Sequence, residues 1–174
     1  MRIALAALTL SIVACSGDDS VDLTGVYRVD SSVGSQPCGV DANVTIPPYL
    51  LFKKDEIFGQ PYFGYEGCTD EAGTTCSSGG GVFGGLFEPI DGGWRGVISS
   101  SSGSGGRCSL GYREETALLD GTILAIEASN YGETVDLTED KCDPDEAERR
   151  GDGMPCLEHA RITATRIGPG PASE

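Results

Sequence analysis

The sequence predicts an all-β fold: one small antiparallel β-barrel or sandwich, crosslinked by disulfides and preceded by a signal peptide. Three observations carry this. Short runs alternate apolar and polar residues with period two between turn clusters such as Asp91-Gly92-Gly93 and Asp120-Gly121. Helix-period patterns are nearly absent, and only Asp143 to Arg150 could form a turn or two. The chain also holds seven cysteines behind a start that reads as an export signal.

Taken in order, Arg2 supplies a positive start and Ile3 to Val13 is an apolar run broken only by Thr9 and Ser11. That run is too short to cross roughly 30 Å of hydrocarbon, so it reads as a signal peptide over residues 1–14 rather than a transmembrane anchor. The junction Ile12-Val13-Ala14-Cys15 resembles the lipobox of bacterial lipoproteins. The resemblance implies cleavage before Cys15, a diacylglyceryl group on its sulfur, and an acyl chain such as palmitate on its amine. Two or three buried chains, at about 0.8 kcal/mol per methylene, hold a protein on a membrane durably. Ser16 stands where aspartate would favour inner-membrane retention, so the resemblance implies an exported, lipid-anchored protein of the outer membrane, on its periplasmic or surface face. Residues 15–22 form the lipidated terminus and a polar tether, which keeps the following domain close to the membrane.

The formal net charge is −15, and removal of residues 1–14 takes away one base, Arg2, and no acid. Such an acidic chain argues against nucleic acid and anionic headgroups as partners, so the lipid must supply the attachment. With Cys15 assigned to lipid, Cys38, Cys68, Cys76, Cys108, Cys142 and Cys156 form an even set for oxidation outside the cytoplasm. Sequence leaves the connectivity open. Proximity favours Cys142 with Cys156, worth roughly 3 kcal/mol in the chain-entropy model, and Cys68 with Cys76, which leaves Cys38 with Cys108. No Cys-x-x-Cys pair points to a metal instead.

Residues 23–168 read as one antiparallel β domain and 169–174 as a disordered tail. Leu23 to Asp30 alternates, with Leu23, Gly25, Tyr27 and Val29 on one side. Ser31 to Asp41 is a loop; Asn43 to Ile46 starts a strand that Pro47-Pro48 interrupts and Tyr49 to Lys53 resumes. Lys54 to Glu56 is expected to turn, and a broken extended piece, Ile57 to Tyr65, follows. Gly67 to Gly81 reads as a crosslinked surface loop, and Val82 to Ile90 pairs with Trp94 to Ser99 as a hairpin. Ser99 to Gly106 is flexible on composition, and Cys108 to Leu119 with Thr122 to Tyr131 forms the clearest hairpin. After an acidic loop, Glu133 to Pro155, the last strand runs from Leu157 to Ile167, with His159, Arg161, Thr163 and Thr165 opposite Ala160, Ile162 and Ala164. Pairing of the first and last strands would close a barrel and remove both sheet edges.

The opening Leu-Thr-Gly-Val-Tyr strand, the Gly-Arg-Cys108 strand, the Asp-Gly hairpin, the Cys-bounded acidic loop and the closing Ile-Thr-Ala-Thr-Arg strand resemble the small lipocalin-like lipoproteins of myxobacteria and their relatives. The resemblance implies a β-barrel and no defined ligand.

Nothing in the chain carries a catalytic signature, and no cofactor or metal is expected. Gly79, Gly81 and Gly84 match a dinucleotide spacing, but a strand-like run stands where the helix should begin. The sole histidine, His159, lacks a Gly-x-Ser-x-Gly partner, and adjacent Glu114 and Glu115 point to opposite faces of a strand. Asp143-x-Asp145 has calcium-ligand spacing, but Ala147 occupies the next alternate position and no glycine turns the loop. The expected function is therefore a non-enzymatic structural or interaction lipoprotein, with an envelope protein as possible partner. The alternative is a lipocalin-like carrier holding a small apolar ligand against Tyr27, Tyr49, Phe63, Tyr65 or Trp94.

Overall fold

The computed structural model describes residues 21–57, 60–77, 87–137 and 141–171, with side chains outside 55–62 and 87. The signal peptide expected over residues 1–14, Cys15, residues 16–20 and the glycines at 79, 81 and 84 lie outside the described residues.

The strands are β1 (Gly25–Ser35), β2 (Ala42–Asn43), β3 (Tyr49–Ile57), β4 (Gln60–Cys68), β5 (Cys76–Ser77), β6 (Phe87–Ile90), β7 (Gly93–Ser104), β8 (Arg107–Asp120), β9 (Ile123–Asp136) and, after helix α1 (Pro144–Arg150) and a single 3-10 turn, β10 (Cys156–Gly168). All pairings are antiparallel. One sheet runs β5-β4-β3-β1-β10-β9-β8-β7-β6, with β2 paired to β1 off this path.

The first and last strands pair, Tyr27 with Arg166 and Val29 with Ala164. That pairing sits in the middle of the sheet, however, so it does not close a barrel. The sheet instead curls until β4 faces β7 and β8: Phe63 meets Trp94 edge to face at 4.7 Å, and the Tyr65 hydroxyl donates to Glu115 Oε1 at 2.6 Å. Among the described residues no hydrogen-bonded ladder joins β4 to β6. The all-β antiparallel class is as expected, and among the described residues the architecture is one sheet curled on itself without closing into a barrel.

Alternation sets the concave face. Leu23, Tyr27, Leu50, Phe52, Phe63, Trp94, Ala117, Leu124, Ile126 and Ala164 are buried together there. Residues 21–24 plug one end: Tyr27 Oη donates to the Leu23 carbonyl at 2.8 Å and Trp94 Nε1 to that of Val21 at 2.6 Å. Small residues make the curl possible. A Cβ on Gly93 would sit 2.1 Å from the Ala117 carbonyl oxygen.

Two covers close the convex face. Val26, Leu51 and Cys68 are buried beneath the loop that ends in Cys76, and a Cβ on Gly73 would meet Val26, Leu51 and Pro171. On the other side, α1 packs Ala147, with Met154 following it, against Cys108, Leu110 and Tyr112. The Asp143 carboxylate caps α1 by accepting from Glu146 N at 2.7 Å, Pro144 opens it, and Arg149 and Arg150 close it. The helix occupies the part of the acidic loop where sequence allowed one.

Several boundaries differ from expectation for reasons of pairing. Lys54 to Glu56 does not turn, because each residue finds a partner on β4 out to Ile57 opposite Gln60. Ser99 to Ser104 is strand rather than flexible tract, since β8 offers a ladder partner to every residue through Arg107. The β8–β9 turn is Gly121–Thr122, with Gly121 at φ 59°, so glycine takes the first central position and Asp120 remains in the strand.

Candidate functional site

Disulfides are the first features sequence singled out, and all six candidates are bonded. Cys68 bonds Cys76 as proximity suggested. The other two expectations are corrected: Cys38 bonds Cys156 and Cys108 bonds Cys142. The physical reason is register. Pairing of Ser35 with His159 carries the chain after β1 to the start of β10, which puts Cys38 beside Cys156. Docking of the α1 segment on β7 and β8 brings Cys142 over the Gly103–Cys108 pair, where a Cβ on Gly103 would lie 2.8 Å from Cys142 Sγ. Nearness in sequence between Cys142 and Cys156 is cancelled by a helix and a 3-10 turn that separate them along the sheet. Three disulfides mark a protein exported from the reducing cytoplasm.

Of the five aromatic residues proposed to line a cavity, four share the concave face and pack there with Phe52. Tyr27 packs on Phe52 at 5.4 Å, Phe52 stacks on Tyr65 at 4.8 Å, and Phe63 meets Trp94 edge to face at 4.7 Å. Tyr49 does not join them. Leu50 and Phe52 take the inward positions of β3, so Tyr49 falls on the convex side with Val26, Leu51 and Cys68.

The concave face also holds a charged group that sequence reasoning missed. Glu115 is buried, accepts from Tyr65, and faces Arg113 at 3.5 Å. Burial pushes its carboxyl above the ordinary range, against the opposing pull of the Tyr65 hydrogen bond and Arg113. Burial, then the Glu115 charge, push the Tyr65 phenol up as well, so it remains a hydrogen-bond donor. The signal in sequence was an odd-numbered glutamate on the same face as Ala117, but period two alone cannot say that a charge will be kept inside.

Outside, β8, β9 and β10 present a polar strip. A groove of about 230 Å³ is lined by Glu114, Thr116, Glu127, Ser129 and Tyr131. Its two carboxylates are held from the sides: Arg95 Nε donates to Glu114 at 2.6 Å, and His159 Nε2 meets Glu127 at 2.9 Å. His159 also lies 3.9 Å from Asp41, which Arg161 pairs. The guanidinium of Arg161 holds the Asp41 carboxyl below its usual range. As expected, Glu114 and Glu115 part to opposite faces of β8, one on this strip and one inside. A second, wider groove of about 410 Å³ runs between β1 and residues 43–48, lined by Val29, Ser32, Asn43, Val44, Ile46 and Pro48.

Two carboxylates of the acidic loop, Glu133 and Glu146, are paired within it. Arg150 pairs Glu146 at 2.7 Å as well as Glu133, and Arg149 pairs Glu146. Among the described residues no group of three His, Cys, Asp or Glu side chains could hold a metal ion. No helix there is long and apolar enough to cross a membrane. Comparison with protein-family models, curated proteins and solved structures finds no match.

Proposed function

We propose that this chain is a non-enzymatic envelope lipoprotein: a disulfide-stapled β domain held beside the outer membrane by a lipid on Cys15, offering its surface to another envelope protein. The observation that carries the scaffold reading is the concave face. A carrier needs an empty interior, and here Tyr27, Phe52, Tyr65, Phe63 and Trp94 occupy it ring against ring. The polar strip across β7 to β10 supplies the contrasting feature, a surface on which Arg95 pairs Glu114, His159 meets Glu127 and Arg161 pairs Asp41.

Lipid attachment rests on Ile12-Val13-Ala14-Cys15 and agrees with the exported character that the disulfides give. Metabolic labelling with an alkyne fatty acid, followed by membrane flotation, tests it. The wild-type chain is expected to carry label and float; Cys15→Ser is expected to lose both. A Cys15→Ser protein that still floats with label would overturn the anchor. For the scaffold reading, an apolar dye that brightens on transfer from water should show no saturable binding to the oxidised domain; stoichiometric binding would favour the carrier instead.

A further inference from the structure

The two ends of the curled sheet differ, and only one can lie near an anchor on Cys15. Residues 21–24 close the end that carries the Asp91–Gly92 and Gly121–Thr122 turns. Their position is fixed from two sides. Trp94 Nε1 holds the Val21 carbonyl, and the Arg166 guanidinium holds that of Asp22 while its backbone N donates to Thr122 O at 2.7 Å. The chain therefore enters the domain beside the β8–β9 hairpin. Six peptide steps separate Cys15 from Val21, a reach of about 20 Å even when fully extended.

The same hairpin exposes apolar side chains. Leu118 is 43% and Ile123 45% exposed, on the convex face of β8 and β9. Leu118 pairs with Ala125, two residues from Ile123 on the same face of β9, so the three form one patch next to the tether's entry. At the far end lie the Ser104–Arg107 turn and the Cys38–Cys156 and Cys108–Cys142 bonds, with Val40 and Leu157 exposed beside the first of these bonds, so the entry point of the tether and not apolar exposure alone distinguishes the two ends.

We infer that the β8–β9 hairpin end faces the bilayer that holds the anchor, with Leu118 and Ile123 seated in the headgroup layer and the disulfide-bonded end directed away from the membrane. This rests on lipidation of Cys15. Two apolar side chains are too few to hold an acidic domain on a bilayer, but the tether already confines it there, so they need only bias its orientation. Asp91 and Asp120, at the turns, favour an uncharged lipid surface over an anionic one.

The test uses the full chain produced with its lipid, in nanodiscs of zwitterionic lipid containing some lipid with a headgroup nitroxide. Amide signals of Asp91–Gly93 and Gly121–Ile123 are expected to broaden more than those of Ser104–Arg107 and Asp136. Leu118→Asp combined with Ile123→Asp should reduce that difference while the protein stays on the nanodisc. Both side chains are exposed, so unchanged amide dispersion checks that the variant remains folded. If mass measurement finds no acyl chains and the protein does not bind nanodiscs, the anchor reading fails and this orientation with it. If the lipidated protein binds but the ends broaden equally, or the far end more, the orientation alone is wrong. A difference that the double variant leaves intact removes the patch as its cause.

Discussion

The two ends of the domain are held by different means. At the end where the chain enters, strands join through two-residue turns at Asp91–Gly92 and Gly121–Thr122, and the closure is a plug of Val21 and Leu23 hydrogen-bonded to Trp94 and Tyr27. At the other end, beside the tight Ser104–Arg107 turn, two connections are long, from Ser35 to Tyr49 and from Asp136 to Cys156, and disulfides Cys38–Cys156 and Cys108–Cys142 cross them. The difference follows from loop-closure entropy. A tight turn leaves little freedom to lose, whereas a long connection regains much on unfolding unless a covalent bond limits it. Crosslinks are thus found where the chain wanders, and packing suffices where it turns sharply.

The comparison breaks most visibly by opening the far end. Replacing Cys38 and Cys156 by Ala removes a link of sequence separation 118 and is expected to cost about 5 kcal/mol in the chain-entropy model. The same model gives about 4 kcal/mol for Cys108–Cys142, separation 34, and about 2.5 kcal/mol for Cys68–Cys76, separation 8. Urea unfolding of the three double variants would show that ranking; an inverted order would mean that native-state packing, not chain entropy, governs these bonds.

At the entry end the corresponding experiment is Trp94→Ala, which empties a buried aromatic site and releases Val21. A loss of about 4 kcal/mol is expected, comparable to a long disulfide. Should it cost less than about 1 kcal/mol, the plug would not be what holds that end. Smaller still is Asp143→Ala, which uncaps α1 and should cost about 1 kcal/mol, with thermal unfolding as the readout.

The smallest effect is local and depends on pH. Asp70 accepts from the backbone of Thr74 and Thr75, and these bonds hold its carboxyl at about 2, below the ordinary 3.8. A depressed carboxyl stabilises the loop fully above its unfolded value and loses that contribution as pH falls through its folded value. Hydrogen exchange at Thr74 and Thr75, corrected for intrinsic rates, should therefore lose protection between about pH 4 and pH 2. Asp70→Asn should flatten this response. The neighbouring Cys68–Cys76 bond keeps the loop ends together throughout, so global unfolding should not follow.

Much of the strand layout was legible in the residues. Tyr27 and Val29 opposite Arg28 and Asp30, or Ile162 and Ala164 opposite Arg161 and Thr163, identify half-buried strands because period two is intrinsic to the extended chain. Gly92 and Gly121 mark hairpins because their positive φ is costly for other residues. The serine tract 99–104 misled for a related reason. Serine has no strong strand preference, and what makes it a strand is a partner, β8, that composition does not reveal. The buried Glu115 was equally opaque, since only the curl of β4 over β8 brings Tyr65 within reach of it.

By itself, then, the sequence determined the all-β class, the strands that alternate, the hairpins, six cysteines downstream of the start and a start that resembles a lipoprotein's. These are local properties, written within a few residues of one another. Tertiary structure decided which cysteines meet, that the sheet curls without closing among the described residues, that Tyr27, Phe52, Phe63, Tyr65 and Trp94 pack on its concave face, and that Tyr49 stays outside. Each of those depends on the register of strands far apart in the chain. A register is settled by how the whole set of side chains packs, not by any short stretch.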